Sequence, residues 1–250
     1  MSVTATALPG LPEVRAGDDL AALIVQALGG EPIRDADVLV VAHKVVSKAE
    51  GRVRRLADVT PGRRALTLGI EHGKDPRHVK VVLDESQEVI RASHGVLICV
   101  TRHGFVCANA GVDASNVPGE DAVVMLPLDP DGSARGLRAE LAARLGTRPA
   151  VIVTDSFGRA WRHGQCDVTI GAAGVAPLQD WRGRHDAHGR ELKATLIAVA
   201  DEIAAAADLA RAKDALAPVV LVRGVGQHVV ADDGPGVGAL LRPAAEDLFR

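Results

Sequence analysis

Blocks of apolar residues recur along the chain with spacings that predict both helices and strands. Helical spacing predicts helices at residues 18–28, 76–91, 133–145 and 191–213. Apolar runs bounded by polar residues predict buried strands at residues 38–42, 149–154 and 218–224. Two further runs, GVLICV and GFVCANAG, flank a short turn and predict an antiparallel hairpin. Because helices and strands alternate while the hairpin is antiparallel, we predict a mixed α/β fold (α+β), with mixed and antiparallel sheets flanked by helices.

Composition and charge limit the functions that this fold could serve. The 250 residues are 47% hydrophobic and 24% charged, contain no repeat or linker, and are expected to form one domain over residues 1–250. The formal net charge is −3, and the aromatic residues are two Trp and three Phe with no Tyr. A chain with neither a basic field nor a base-stacking platform is not expected to bind nucleic acid.

The cysteines and the beginning of the chain indicate a cytoplasmic protein. Cys99, Cys107 and Cys166 lack the spacing of a metal knuckle, and an odd number cannot all pair within one chain. Reduced, buried cysteines in a reducing compartment fit this pattern best. Residues 1–10 lack the basic start and apolar block of a signal peptide, and no apolar run reaches membrane-spanning length. No membrane partner is therefore expected.

Three polar segments follow apolar runs, where rigidly held side chains meet accessible loops. They are residues 43–52, 109–116 and 155–165. In the second and third segments, oxygen ligands suited to Mg²⁺ or Mn²⁺ occur at Asp113, Asn116, Asp155 and Ser156. Zinc is disfavoured because there is no HExxH motif and no cysteine pair. Each aspartate taken alone is more often a turn or helix-cap residue.

Positive charge follows the first of the three predicted strands and could serve a phosphate group. Lysine is a compact point charge, and arginine can grip phosphate through two parallel hydrogen bonds. The residues are Lys44, Lys48, Arg52, Arg54 and Arg55, with a second candidate pair at Arg159 and Arg162. A solvated surface segment is the competing interpretation. No GxxxxGK[ST] loop, strand-linked GxGxxG or GxSxG elbow occurs, so spacing alone supports only a metal-assisted phosphate enzyme.

Longer motifs give a more specific answer. In order, the chain contains GLPEV, DVLVVAHKVVSKAEGR, DES, HGFVCANAGVDASN, VIVTDSFGRAWRHGQCDVTIGAAG and ADEIAAAADLA. This ordered set, from about Leu8 to Gly224, resembles the coenzyme F420:L-glutamate ligase family, also called F420-0:gamma-glutamyl ligase. The resemblance implies the fold of that family and a homodimer.

The resemblance also implies a reaction. Members join L-glutamate to the deazaflavin precursor F420-0 with GTP and a divalent metal, Mg²⁺ or Mn²⁺, and a monovalent cation such as K⁺ is a further candidate. GTP would convert the terminal carboxylate to an acyl phosphate, which the glutamate amine would attack. Later additions would extend the tail through gamma-carboxylates.

The family's functional positions can be carried over to residues of this chain. Those implicated in GTP binding correspond to Leu11, Pro12, Glu13, Val14, His43, Lys48 and Asn116, and the metal positions to Asp113, Asp155 and Ser156. Catalysis is accordingly expected to depend on Lys48, Asp113 and Asp155.

The chain departs from the family pattern at three places. His43 stands where members often carry a small hydroxyl residue, and Ser156 stands where threonine is common. Near the end of the long helix, members often read MGK or MGQ, whereas this chain reads ARAKDALAP. That difference puts the nucleotide or metal contacts expected near Lys213 in question.

Two other functions stay open at this point. One is an amide ligase of the same fold that acts on another carboxylate, and the other is a non-catalytic module that binds nucleotide or cofactor for a partner domain. Residues 232–250 resemble the junction to a nitroreductase-like domain in two-domain homologues, so such a domain is a candidate partner. The presence of Lys48, Asp113 and Asp155 counts against a non-catalytic module.

Overall fold

The structure is a computed structural model that describes residues 2–115, 121–211 and 216–247. The helices in these ranges are α1 Leu20–Leu28, α2 His43–Ala49, α3 Arg63–His72, α4 Pro76–Asp84, α5 Pro130–Leu145 and α6 Val199–Ala210. The strands are β1 Thr4–Leu8, β2 Val38–Ala42, β3 Val53–Arg55, β4 Ser86–Ser93, β5 Val96–Thr101, β6 Val106–Ala108, β7 Ala122–Val124, β8 Ala150–Arg159, β9 Arg162–Ala173, β10 Gln179–Asp180, β11 Leu196–Ile197 and β12 Val219–Arg223. The predicted mixed α/β class is confirmed. None of the helices in the described ranges is long and apolar enough to cross a bilayer.

A five-stranded sheet forms the centre of the fold, in the strand order β1–β12–β2–β8–β9. Strands β2 and β8 are parallel neighbours, whereas the other adjacent pairs are antiparallel. Strand β2 ends at Ala42, which pairs with Thr154 in the middle of β8. The polar segments that begin at His43 and at Asp155 therefore start side by side, at the carboxyl end of β2, where α/β proteins commonly build their sites.

The central sheet is buried on both faces because its strands alternate between two cores. Leu39 and Val41 of β2 pack in one core with residues of α1, α2 and α5. Val38 and Val40 of the same strand pack in a second core with residues of α6. An uninterrupted apolar strand such as VLVVA is what burial on both faces requires.

A third core lies between helices α3 and α4 and the antiparallel sheet β4–β5–β6. Its members include Val79 and Val82 of α4 and Leu97 of β5. The predicted hairpin is confirmed, since β5 pairs with β6 and places Cys99 opposite Cys107. A short pair, β3 with β7, makes up a separate two-stranded sheet.

Two predicted helices are shorter than their apolar spacing indicates. The prediction for residues 76–91 is correct only as far as Asp84, because residues 86–93 leave the helix and pair with β5. Glu85 is buried at this turn and pairs with Arg52 and Arg102. The helix predicted for residues 191–213 begins only at Val199, because residues 196–197 pair with β10 instead, and it ends at Ala210.

The polar segment after the predicted strand at residues 149–154 is part of a long hairpin. Strand β8 continues to Arg159 and returns as β9, so that Ser156 lies opposite Asp167. Residues 158–165 are exposed, and an exposed strand lacks the apolar pattern by which buried strands are found. The short helix α2 is also absent from the sequence-based predictions, because its seven residues provide fewer than two full periods.

Arg138 ties the carboxy-terminal segment to the core. This α5 residue is 1% exposed, and its Nε donates a hydrogen bond to the Pro149 carbonyl at 3.1 Å. Its Nη1 donates to Asp233 Oδ1 at 2.8 Å, and its Nη2 donates to the Val230 carbonyl at 3.0 Å. A buried charge needs such partners, because an unpaired one strongly destabilises the folded state. Residues 230–233 are thereby held against the core.

Candidate functional site

A cavity of about 690 Å³ opens where strand β2 ends, beside the middle of strand β8. Further walls come from the loop after β1, helix α2, the chain around Asp113 and the chain between α6 and β12. The predicted site residues that line the cavity are Leu11, Pro12, Glu13, Val14, His43, Lys48, Asp113, Asp155 and Ser156. Asn116, the remaining predicted contact, lies outside the described residues. Segments that are far apart in the sequence thus share one cavity.

Lys48 and the loop after β1 form one wall. Leu11 and Val14 are buried and anchor the loop, whereas Pro12 and Glu13 are exposed. Lys48 is only 6% exposed, and its Nζ donates a hydrogen bond to Glu13 Oε1 at 2.6 Å. Since an ammonium group carries three N–H donors, Lys48 could also hold an anionic group beside Glu13.

The chain reaches Asp113 through a turn with an unusual backbone. Asn109, Ala110 and Gly111 have φ angles of 51°, 53° and 71°, and Asp113 then forms an isolated β-bridge with Val124. Residues other than glycine adopt such angles at an energetic cost that the surrounding structure must offset. The bridge and the turn together fix where the Asp113 backbone lies.

Lys44 and Ser115 hold the Asp113 carboxylate. Lys44 Nζ donates hydrogen bonds to Asp113 Oδ2 and Ser115 Oγ, each at 2.6 Å, and the Ser115 N–H donates to Asp113 Oδ1 at 2.7 Å. Burial acts to raise the pKa of Asp113, but the hydrogen bonds from Lys44 and Ser115 outweigh it and hold this pKa below its usual value. The Asp113 carboxylate is therefore negatively charged near neutral pH and could serve as an oxygen ligand.

Strand β8 sends alternate side chains to two different partners. Thr154 Oγ1 and Ser156 Oγ donate hydrogen bonds to the two oxygens of Asp167, at 2.9 and 2.6 Å. Asp155 lies between them, so its side chain points to the other face of the strand, toward α2. Its Oδ1 accepts a hydrogen bond from the Ser156 N–H at 2.8 Å and lies 3.3 Å from His43 Nε2.

A buried ion pair between Asp167 and Arg211 completes this side of the cavity. Asp167 is 2% exposed and accepts a hydrogen bond from Arg211 Nη2. The same Arg211 group donates to Thr154 Oγ1 at 2.9 Å, and Nη1 donates to the Pro218 carbonyl at 3.2 Å. Arg211 belongs to the ARAKDALAP segment in which this chain departs from the family pattern. That segment therefore places a fixed positive charge on the cavity wall.

Sequence reasoning missed several polar residues of the cavity and misplaced others. Ser115, Asp167 and Arg211 line it, as does Lys44, which sequence reasoning named only as part of a basic segment. The signals for Asp167 were its place within the motif that ends in DVTIGAAG and its position directly before a largely apolar run. The candidate anion pair at 159 and 162 lies on the exposed hairpin and is not part of the cavity lining, and Arg54 and Arg55 lie exposed on β3.

The donor chemistry of the cavity suits an ion that keeps water or phosphate among its ligands. Within the described ranges, no group of three or more His, Cys, Asp or Glu side chains could hold a metal ion by itself. Mg²⁺ is commonly bound by only one or two carboxylates, with substrate phosphates and water as further ligands. Asp155 Oδ2 accepts no hydrogen bond from the described residues, so this oxygen could serve as such a ligand.

Comparisons with known proteins agree with the motifs. The family model described as F420-0:Gamma-glutamyl ligase matches residues 10–224. The chain is 45% identical to the coenzyme F420:L-glutamate ligase of Methanothermobacter thermautotrophicus over 100% of both chains. It is 44% identical to the protein of that name from Methanopyrus kandleri, over 95% of this chain and 94% of that protein. Identity to the Archaeoglobus fulgidus protein of that name is 44%, over 100% of this chain and 97% of that protein.

Proposed function

Because the chain belongs to the F420-0:gamma-glutamyl ligase family, we propose that it joins L-glutamate to F420-0 with GTP as phosphoryl donor and Mg²⁺ or Mn²⁺ as the metal. Membership makes the chain an enzyme of the acid–amino-acid ligase kind. The observation that supports the finer proposal is that Lys48, Asp113 and Asp155 line one cavity. Carboxylates for a cation and an ammonium group for phosphate are thus available at the same place.

The proposed reaction has two steps. In the first, a carboxylate oxygen of F420-0 attacks the γ-phosphorus of GTP, the bond to the bridging oxygen breaks, and GDP leaves an acyl phosphate behind. In the second, the amine of L-glutamate attacks the acyl carbon, inorganic phosphate leaves, and the amine loses a proton as the amide forms. The γ-carboxylate of the product is a chemically equivalent acceptor, so the same steps could add further glutamates.

The residues of the cavity would act mainly by neutralising charge and fixing geometry. Lys48 Nζ would contact a phosphate of GTP, where a preorganised positive charge stabilises the charge that develops during transfer. Asp113 and Asp155 would hold the divalent ion, which when bound supplies Lewis-acid stabilisation of the phosphate oxygens. The loop at residues 11–14 would position the nucleotide next to Lys48, and Asn116 is a further proposed contact.

Mass spectrometry of F420-0 incubated with the protein, L-glutamate, GTP and Mn²⁺ tests the proposal. We expect a glutamylated product and one GDP for each amide formed, with no product when GTP is omitted or the metal is chelated. Replacement of K⁺ by Na⁺ tests the proposed monovalent cation. Asp155→Asn removes one negative ligand at nearly constant size, and we expect turnover at limiting Mn²⁺ to fall about tenfold or more.

A matched control separates the site from general loss of charge. Glu202→Gln removes an exposed carboxylate of α6 that does not line the cavity, so its turnover should equal that of the wild type. GTP binding without glutamylation of F420-0 would favour the non-catalytic module, and preferential glutamylation of another carboxylate would favour the alternative amide ligase. Wild-type turnover of Asp155→Asn at limiting Mn²⁺ would remove Asp155 from the proposed metal ligands.

A further inference from the structure

His43, in the first turn of helix α2, faces the middle of strand β8. It is the first residue of α2 and is 1% exposed. On one side, its Nδ1 lies 3.3 Å from Ser47 Oγ, one helical turn further along α2. On the other side, its Nε2 lies 3.3 Å from Asp155 Oδ1. The ring thus bridges a buried hydroxyl group and a carboxylate of the cavity.

The chemistry of these two partners assigns the ring tautomer. An ionised carboxylate can only accept a hydrogen bond, so the nitrogen that faces Asp155 carries a proton. In the neutral ring the other nitrogen, Nδ1, is then an acceptor, and the Ser47 hydroxyl group donates to it. Ser47 is fully buried and so gives this tautomer a fixed partner.

The contact between His43 and Asp155 is short but poorly directed. Nε2 is buried and has no hydrogen bond of good geometry, although it is 3.3 Å from the carboxylate oxygen. Hydrogen bonds at active sites are often misaligned in the free enzyme and become aligned in the substrate complex. Because a buried donor without a hydrogen bond is costly, His43 Nε2 would favour the orientation of Asp155 in which Oδ1 accepts a well-aligned hydrogen bond from it.

Among the described residues, both polar contacts of the Asp155 carboxylate fall on the same oxygen. Oδ1 receives the Ser156 N–H at 2.8 Å and faces His43, whereas Oδ2 accepts no hydrogen bond from the described residues. The Ser156 hydrogen bond to Oδ1, with the His43 ring beside the same oxygen, favours one rotation of the carboxylate and leaves its second oxygen for another ligand. The orientation of Asp155 is therefore set from within the protein.

We propose that His43 is a positioning residue that holds Asp155 Oδ1, so that Oδ2 is presented to the metal, with Ser47 fixing the ring. This inference rests on the proposed function, in which Asp155 is a metal ligand. A small hydroxyl side chain at position 43 would be too short to reach Asp155 in this way. The proposed role therefore depends on the length of the histidine side chain and does not follow from the family resemblance.

Two substitutions of His43 separate its two contacts. In His43→Gln the amide nitrogen can take the place of Nε2 and reach Asp155, whereas in His43→Asn it can only take the place of Nδ1 and reach Ser47. Mn²⁺ affinity is measured without nucleotide, from the electron paramagnetic resonance signal of the free ion. We expect His43→Asn to weaken Mn²⁺ binding about 10- to 100-fold, the range for residues that orient metal ligands, and His43→Gln to recover most of the loss.

A double-mutant cycle with Asp155→Asn provides the decisive comparison. If His43 acts through Asp155, adding His43→Asn to Asp155→Asn should weaken Mn²⁺ binding no further. Equal affinities of His43→Asn and the wild type, additive effects in the cycle, or equal losses in the Asn and Gln variants would each overturn the proposal. Thermal unfolding of every variant identifies losses that come from misfolding.

Ser47→Ala keeps the test decisive if the His43 variants do not fold. It removes only the hydroxyl group that fixes the ring, and we expect a weakening of Mn²⁺ binding that disappears in the Asp155→Asn background. An unchanged affinity would overturn the proposal. A wild-type protein that binds no Mn²⁺, with or without GDP, would instead contradict the metal site in the proposed function, and the inference with it. Wild-type binding without an effect at His43 would contradict the inference alone.

Discussion

Two lysines one turn apart on α2 have different partners, and the difference indicates different roles. Lys44 donates hydrogen bonds to Asp113 and Ser115, so its charge is used to hold the carboxylate. Lys48 is hydrogen-bonded to Glu13, whose side chain is 49% exposed and can move when an anion binds. Lys48 is therefore the better candidate for a direct contact with phosphate.

Lys48→Ala should weaken GTP binding or slow turnover about ten- to hundredfold. The physical reason is the loss of one charge-assisted hydrogen bond, worth about 1.5–3 kcal/mol. Lys48→Arg should restore only part of the loss, because a planar guanidinium does not replace a compact ammonium group in a confined site. Calorimetric titration with GTP and initial rates measure both effects.

Arg54→Ala is the control for this prediction, because Arg54 is an exposed basic residue of β3 outside the cavity lining. Its affinity and rate should stay close to those of the wild type, as is usual for exposed charges. Wild-type behaviour of Lys48→Ala would instead show that Lys48 only holds Glu13 and does not contact the nucleotide.

Some residues of the site could be assigned from sequence because they lie within long motifs. Asp113 belongs to CANAGVDASN and Asp155 to VIVTDSFGR, and both line the cavity. The pair of Asp167 and Arg211 could not be assigned, because 44 residues separate them and only the fold brings them together. His43 was assigned to a role in GTP binding, but its contact with Asp155 depends on the register of two parallel strands.

At the scale of elements, buried segments could be predicted and exposed ones could not. Strand β2 is apolar throughout, β12 is apolar up to Arg223, and both occur where the sequence predicts them. Helix α1 also occurs within the predicted range, but it begins two residues later than predicted, at Leu20, because Asp19 is its N-cap. The exposed half of the β8–β9 hairpin has no apolar pattern and was not predicted as a strand. The helical spacing of apolar residues extends from α4 into β4, but residues 86–93 form a strand because they pair with β5.

The turn before Asp113 leads to a prediction about Gly111. Its φ angle is 71°, and a Cβ atom there would lie 2.7–2.8 Å from side-chain carbons of Leu126, so Gly111→Ala should strain the turn. We expect the free energy of unfolding to fall by about 1–3 kcal/mol and the turnover to fall because Asp113 is displaced. Denaturant unfolding and initial rates at limiting Mn²⁺ measure the two effects.

Gly136→Ala is the matched control, since it is the same substitution but is expected to raise the free energy of unfolding instead of lowering it. Gly136 lies inside helix α5, and no atom lies within 4 Å of a Cβ placed there. Replacing glycine by alanine in a helix interior should stabilise the protein by about 1 kcal/mol and leave turnover unchanged. Equal stability changes in the two variants would contradict the strain attributed to the turn.

At the scale of the whole molecule, we expect the protein to form the homodimer that the family resemblance implies. In one copy, Ile70, Trp161 and Leu209 are 81%, 82% and 91% exposed, so the surface includes apolar side chains that an interface could bury. Size-exclusion chromatography with light scattering at micromolar concentration should give twice the mass of one chain. A fully active monomer would contradict this expectation.

The contacts of Arg138 define a minimal folding unit that is longer than the region by which the family is recognised. The family match ends at residue 224, whereas the partners of the buried guanidinium group include Val230 and Asp233. Asp131 extends this attachment, since its carboxylate accepts a hydrogen bond from the Val237 N–H at 3.0 Å. A protein shortened after residue 224 would keep a charge in its core and lose much of what compensates that charge, at a cost of several kcal/mol. Any boundary drawn for a shorter, autonomously folding protein therefore belongs beyond Val237.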